Sequence, residues 1–220
     1  MEHLSEFFKN LKSGNKEACV SFCLDLLATG QTDIKGLYEG VLKAALDSLT
    51  CDIQEKDLCI WREHASTTIV RAVIECAYPY VIRERDARSR RKQGKIFVLC
   101  PEGETHEIGA RMITDYVTIL GFDASFVGSN TPKEEILKAV QLLDVDLIMV
   151  SITNYYNLVA AGKMIDLIRN KAGKPVRIIV GGQAFVNNEQ VCTWIKADKV
   201  LQKFDDLELY LDSFGKVGDV

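Results

Sequence analysis

Apolar residues along the chain change their period near residue 94. Before it they recur at three and four, the spacing of one helix face. Leu4-Phe7-Phe8-Leu11 makes a first amphipathic pattern, broken at Gly14-Asn15. A second segment carries Ala18, Phe22, Leu26 and Leu27 and closes at Gly30. Asp33 is placed to cap a third, with Leu37, Val41, Leu42, Ala45 and Leu49 on one face. After the polar break Thr50-Cys-Asp52, a fourth runs from about Gln54 through Trp61, His64, Ala65, Thr68, Ile69, Ala72, Val73 and Cys76, toward and beyond Pro79. Residues 4–90 therefore predict a four-helix bundle. Arg83 to Gly94 is a charge-dense run ending in glycine, the composition of a solvated helix end and linker. It sets the boundary between a helical cap, 1–90, and a second domain, 91–220.

From Lys95 onward short apolar runs alternate with helical patterns. Strands are expected at Lys95–Cys100, Asp123–Phe126, Leu147–Ser151, Val176–Val180 and Val200-Leu201. Helices are expected at Glu107–Leu120, Lys133–Leu143, Leu158–Arg169, around Glu189–Ile195 and near Leu207–Phe214. Five such βα units predict an α/β fold, a flavodoxin/Rossmann-like, doubly wound parallel sheet of five strands.

Composition changes little in this picture. Of 220 residues, 47% are hydrophobic and 26% charged, with a net charge of −4, which excludes a disordered chain and gives no general attraction to nucleic acid. Direct nucleic-acid binding is not expected. The start, Met1-Glu-His-Leu-Ser-Glu, lacks a basic region and apolar run, and no apolar stretch reaches the roughly 20 residues a membrane span needs. A cytoplasmic protein with no membrane association is expected, its seven cysteines reduced. Cys19 and Cys23, four apart among apolar neighbours, read as small core residues.

Candidate chemistry lies where the predicted strands end. The turns Glu104-Thr-His106, Ser151-Ile-Thr153 and Gly181-Gly182 all leave strand C-termini, where open α/β sheets put their ligands. Gly109 allows close approach at the following helix start. Neither Gly-x-Gly-x-x-Gly nor Gly-x-x-x-x-Gly-Lys-[Ser/Thr] occurs, so no phosphate-cradling signature is present. The clustered aspartates of a magnesium-dependent receiver are also missing from the end of the first strand.

Glu104-Thr105-His106-Glu107-Ile108-Gly109, followed by Ser151-Ile-Thr153 and Gly181-Gly182, resembles the Asp-x-His-x-x-Gly, Ser-x-Leu and Gly-Gly signature of base-off, His-on cobalamin-binding domains. A helical cap before the Rossmann-like domain is the arrangement of corrinoid methyl carriers, of methionine synthase and of cobalamin-dependent photoreceptor regulators. The resemblance implies cobalamin, as adenosylcobalamin or methylcobalamin, bound by the Glu104-to-Gly109 turn. It makes His106 the lower axial ligand of cobalt, replacing the cofactor's own dimethylbenzimidazole, and Glu104 its carboxylate partner. Gly181 and Gly182 would leave room for the displaced nucleotide tail, with Ser151 and Thr153 bonding its base.

Glu104 stands where methyl carriers usually have Asp, and Thr153 where Leu is usual. The Glu-x-His form is closer to the photoreceptor regulators. Their cap carries a Glu-His pair, matched by Glu63-His64 with Trp61 just upstream. The resemblance thereby implies His64 as an upper axial ligand. The function expected first is a B12- or light-responsive regulatory module acting through a partner protein, with a change of homo-oligomeric state as one output. The alternative is a corrinoid methyl carrier, served by separate methyltransferases. With no substrate barrel, neither has a complete active site of its own.

Overall fold

Helix-spaced apolar faces and alternating strand positions fold into two units, Met1–Ala87 and Arg88–Val220. The computed structural model describes residues 2–49, 56–88, 94–186 and 191–214.

In the first unit, α1 (Glu2–Lys12) and α2 (Lys16–Ala28) are followed by α3 (Ile34–Gly36), which runs through a π-helical segment (Leu37–Lys43) into α4 (Ala44–Asp47). The long α5 (Lys56–Ala87) completes the unit. Helix starts leave orphan N–H groups, and side chains satisfy them here. Asn15 accepts from the Ala18 N–H at 3.0 Å and Asp33 from the Gly36 N–H at 2.7 Å. Cys19 and Cys23 are fully buried, and burial pushes their thiols up to about 11 and about 12. On α5 the buried positions Ile69, Val70, Val73, Ile74, Ala77 and Val81 form the core stripe.

Two expectations change here, one at the third helix and one at a cysteine. The third helix ends at Asp47 rather than Leu49 and contains a π-helical stretch. The fourth continues through Pro79 as expected and ends at Ala87, inside the run read as a helix end and linker. Arg and Glu are good helix formers, and Glu84 ties this end down by accepting the Ile34 N–H at 2.8 Å. Cys59 is disulfide-bonded, against the expectation of reduced thiols, whereas Cys19, Cys23, Cys76 and Cys100 are free. The expected break at Thr50–Asp52 and helix start at Gln54 lie outside the described residues.

The second unit is a five-stranded, all-parallel sheet of β1 (Lys95–Pro101), β2 (Asp123–Thr131), β3 (Leu147–Ser151), β4 (Arg177–Gly181) and β5 (Lys199–Val200), in the order β2-β1-β3-β4-β5. Strand side chains alternate between faces. Phe97 and Leu99 of β1 therefore join the core under α7 (Lys133–Leu142) and α8 (Leu158–Lys171), while Ile96, Val98 and Cys100 join that under α6 (Ile108–Ile119) and α10 (Phe204–Phe214). Helices thus cover both faces of the sheet, the doubly wound arrangement expected. β2 is longer than its apolar run, continuing past the expected end at Phe126 through Gly128-Ser-Asn-Thr131. Register shifts opposite Val98/Leu99 and Leu99/Pro101 absorb the extra residues. The helix expected at 189–195 is described only as α9 (Val191–Trp194), and β5 begins one residue early. Among the described residues, no helix is long and apolar enough to cross a membrane.

The strand order reverses direction between β1 and β3. In open α/β sheets the crevice outside such a switch point receives the ligand. The turns leaving β1 and β3 are those that carry His106 and Ser151-Ile-Thr153.

Candidate functional site

β1 ends at Pro101, and Gly103, at φ 85°, turns the chain so that the Glu104 N–H bonds the Pro101 carbonyl at 3.0 Å. The residues that follow divide between inward and outward. Glu104, Glu107 and Ile108 are buried, while Thr105, His106 and Gly109 are exposed. Ile108 begins α6, with Glu107 at the cap position and Arg111 bonding its carboxylate at 3.1 Å. Among the described residues, no atom outside the neighbouring backbone lies within 4 Å of the point where a Gly109 side chain would begin. The helix start beside His106 is consequently open.

Glu104 is wholly buried, and both oxygens of its carboxylate are bonded. Oε1 accepts from the His106 N–H at 3.0 Å and faces His106 Nδ1 at 2.6 Å. Oε2 accepts from the Thr153 N–H at 3.0 Å, the Asn154 N–H at 2.8 Å and Asn157 Nδ2 at 3.0 Å. Burial alone pushes the carboxyl up, but the bonds from Asn157, Asn154 and His106 outweigh it and hold it below its ordinary value. Because the carboxylate can only accept, Nδ1 carries a proton, so the neutral tautomer that this contact selects has its lone pair on Nε2. Nε2 makes no hydrogen bond among the described residues, and the side chain is 47% exposed. One buried anion thereby fixes both the tautomer and the aim of a half-exposed imidazole.

Beneath the turn, Cys100 Sγ donates to the His106 carbonyl at 3.6 Å. Burial, with the nearby charges of Glu104 and Glu107, pushes this thiol up to about 12. It stays neutral and serves as a donor. Two asparagines join the turn to its neighbours: Asn130 Oδ1 accepts the Gly103 N–H at 2.8 Å, and Asn157 Nδ2 reaches the Gly103 carbonyl at 3.3 Å.

The other expected residues fall nearby in part. Ser151 ends β3 opposite Gly181 in register, and its hydroxyl has no protein partner among the described residues. Thr153 contributes its backbone N–H to Glu104. Gly181 and Gly182 follow β4 with a backbone reason of their own: a Cβ on Gly181 would collide with the Leu201 carbonyl oxygen, and one on Gly182, at φ 106°, with that of Ile152. Gly182→Ala is expected to cost at least about 2 kcal/mol through strained backbone and collision, read as an earlier midpoint in denaturant unfolding. Trp61, Glu63 and His64 belong to the first unit. There Trp61 is 68% exposed and His64, less than one turn further along α5, is also exposed.

Sequence reading missed Asn157, Asn154 and Asn130. The available signal was asparagine at the exits of β2 and β3, but their partners lie far away in the chain, 53 residues in the case of Asn157 and Glu104. Asn157→Ala removes one bond to a buried anion and is expected to destabilise the protein by about 1 kcal/mol, measured by urea unfolding. An unchanged midpoint would remove Asn157 from the network.

Residues 94–206, just over half of the chain, match the family model described as B12 binding domain. Among solved structures, the monomethylamine corrinoid protein of Methanosarcina barkeri is similar at TM-score 0.79 and 16% identity, over 96% of this chain and 97% of that one. A cobalamin-binding protein of Desulfitobacterium hafniense is similar at TM-score 0.50 and 19% identity, over 96% and 98%. The methanol:cobalamin methyltransferase complex of Methanosarcina barkeri contains a chain similar at TM-score 0.52 and 17% identity, over 98% and 80%. No curated protein matches by sequence.

Proposed function

The chain belongs to the B12-binding domain family, and on that footing we propose that it holds cobalamin with its own base displaced, His106 as the lower axial ligand, and works as a corrinoid carrier for a partner methyltransferase. The observation that carries the ligand assignment is the 2.6 Å contact between His106 Nδ1 and the buried Glu104 carboxylate, which leaves Nε2 as an aimed lone pair. Among the described residues no group of three or more His, Cys, Asp or Glu could enclose a bare metal ion. A single imidazole suits a cobalt whose other ligands come largely from its macrocycle.

When bound, cobalamin supplies a cobalt centre that can accept and give up a methyl group. The protein's residues set the conditions for it. Glu104 keeps the imidazole in one tautomer and one orientation, and Asn157 with the Thr153 and Asn154 amides keeps Glu104 ionised and fixed. The unpartnered Ser151 hydroxyl is offered to the displaced base, with Thr153, and the bend at Gly181-Gly182 gives the tail its path. Thr105 and Gly109 line the open side of the turn. The carrier reading is supported by the likeness to the monomethylamine corrinoid protein, which extends over both units of this chain.

A second reading, a B12- or light-responsive regulatory module, is favoured by Glu104 in the Asp position and by exposed His64 beside Glu63 and Trp61 on α5. In it, His64 takes the upper axial position. Reconstitution with methylcobalamin and with adenosylcobalamin, followed by spectra and hydrodynamic size in darkness and after green light, separates the two. The carrier predicts reductive cycling, methyl exchange with a methyltransferase and a constant size. A light-dependent size change that His64→Ala abolishes would replace that reading with the regulatory one.

A further inference from the structure

Large side chains left in water need a reason, and two lie in the turn that is bonded to the carboxylate holding His106. Tyr155 is 60% exposed and Tyr156 78% exposed, with ring centroids 4.9 Å apart at an interplanar angle of 46°. They lie in a 3-10 turn, Tyr155–Asn157, at the mouth of β3. That turn is held firmly. Asn154 Oδ1 accepts the Tyr156 N–H at 3.1 Å, and the Asn157 N–H bonds the Asn154 carbonyl at 2.9 Å. At its two ends Asn154 and Asn157 both donate to Glu104 Oε2, whose partner oxygen holds the His106 ring. From Asn154, which touches the carboxylate, to Tyr156 is two residues, at most about 7 Å of chain. The same buried anion therefore sets the position of the imidazole and of the aromatic pair.

We propose that Tyr155 and Tyr156 form a platform for the edge of the corrin macrocycle, a contact that resides in their rings and does not depend on the nucleotide tail. The proposal rests on the reading of His106 as the cobalt ligand, since that ligand brings the macrocycle to this mouth. A corrin is a large, flat group bearing methyls and amide side chains. Aromatic rings pack against its apolar edge, and phenol hydroxyls can meet its amides. Of the exposed large aromatics among the described residues of this unit, these are the two whose own turn binds Glu104; Trp194 instead lies across α8 at Gly162.

The test compares hydroxocobalamin with cobinamide, which has the macrocycle but no nucleotide base, on the full-length protein. Tyr155→Ala with Tyr156→Ala is expected to weaken both ligands alike by about tenfold, the worth of one good aromatic contact. At saturation its cobalamin spectrum should match that of the unaltered protein, and its thermal midpoint should not move, because the rings are exposed. Tyr155→Phe with Tyr156→Phe should keep most of the affinity. Unchanged binding of both ligands by the alanine pair would overturn the platform and leave the tyrosines as a protein-facing surface. Weakened cobalamin with unchanged cobinamide would also overturn it, assigning them to the tail. A phenylalanine pair as weak as the alanine pair would overturn the packing argument. The His106 reading fails separately: its failure appears as an unaltered cobalamin spectrum in His106→Ala, whatever the tyrosine variants do.

Discussion

His106→Ala should abolish the absorption spectrum of imidazole-ligated, base-off cobalamin while leaving the protein folded. The ring is half-exposed, and Glu104 is the only group it bonds among the described residues, so its loss opens no cavity in the core. Glu104 Oε1 still accepts the backbone N–H at position 106, which alanine retains. A stability change within about 0.5 kcal/mol is expected, as for other surface substitutions. Cofactor binding should weaken by more than the roughly 10–100-fold typical of losing a ligand's supporting partner, because here the ligand itself is removed. The measurements are a titration followed by absorbance and a thermal melt of the cofactor-free protein.

Glu104→Ala should show the opposite balance, with a large loss of stability as well as of binding. Its carboxylate is the common acceptor for three backbone N–H groups, the Asn157 amide and the His106 ring, and it gathers the turns after β1 and β3 into one structure. An unsatisfied buried donor costs about 1–3 kcal/mol, so leaving three backbone donors without their acceptor is expected to cost about 3 kcal/mol even after water enters. That corresponds to a fall of roughly 10 °C in Tm. Cobalamin affinity should fall by about 10–100-fold, because the imidazole loses its fixed tautomer and aim. Glu104→Gln should not rescue either property. An amide presents one accepting oxygen and an NH2 group to a site that contains only donors. Calorimetry of both variants checks the claim, and a glutamine variant as stable as the original chain would contradict it.

These two residues were legible in the sequence because the strand that presents them is a short, unbroken apolar run ended by proline and glycine. The same clarity located β3 and the order of the βα units. What the sequence did not disclose is how the turns are joined. Asn157, Asn154 and the Thr153 amide meet Glu104 only after β1 and β3 pair, and nothing local in the chain marks that meeting. β2 outran its apolar run because its far end is held by backbone pairing and by Asn130, not by burial. The helix through Pro79 persisted because buried Val81 and the Glu84 contact outweigh one missing hydrogen bond. Gly181 and Gly182 read as space for a ligand tail, and the close backbone approach at Leu201 and Ile152 gives them a second reason to be glycine.

The most direct test of His106 as the cobalt ligand is the electron paramagnetic resonance spectrum of the one-electron-reduced, cob(II)alamin-loaded protein grown with 15N-histidine. Nitrogen coordination splits each cobalt line, into three for 14N and two for 15N. The account predicts that the threefold pattern of the unlabelled protein becomes twofold on labelling and that both patterns vanish in His106→Ala. A threefold pattern that survives labelling would mean that the cofactor's own base remains on cobalt, and would contradict it.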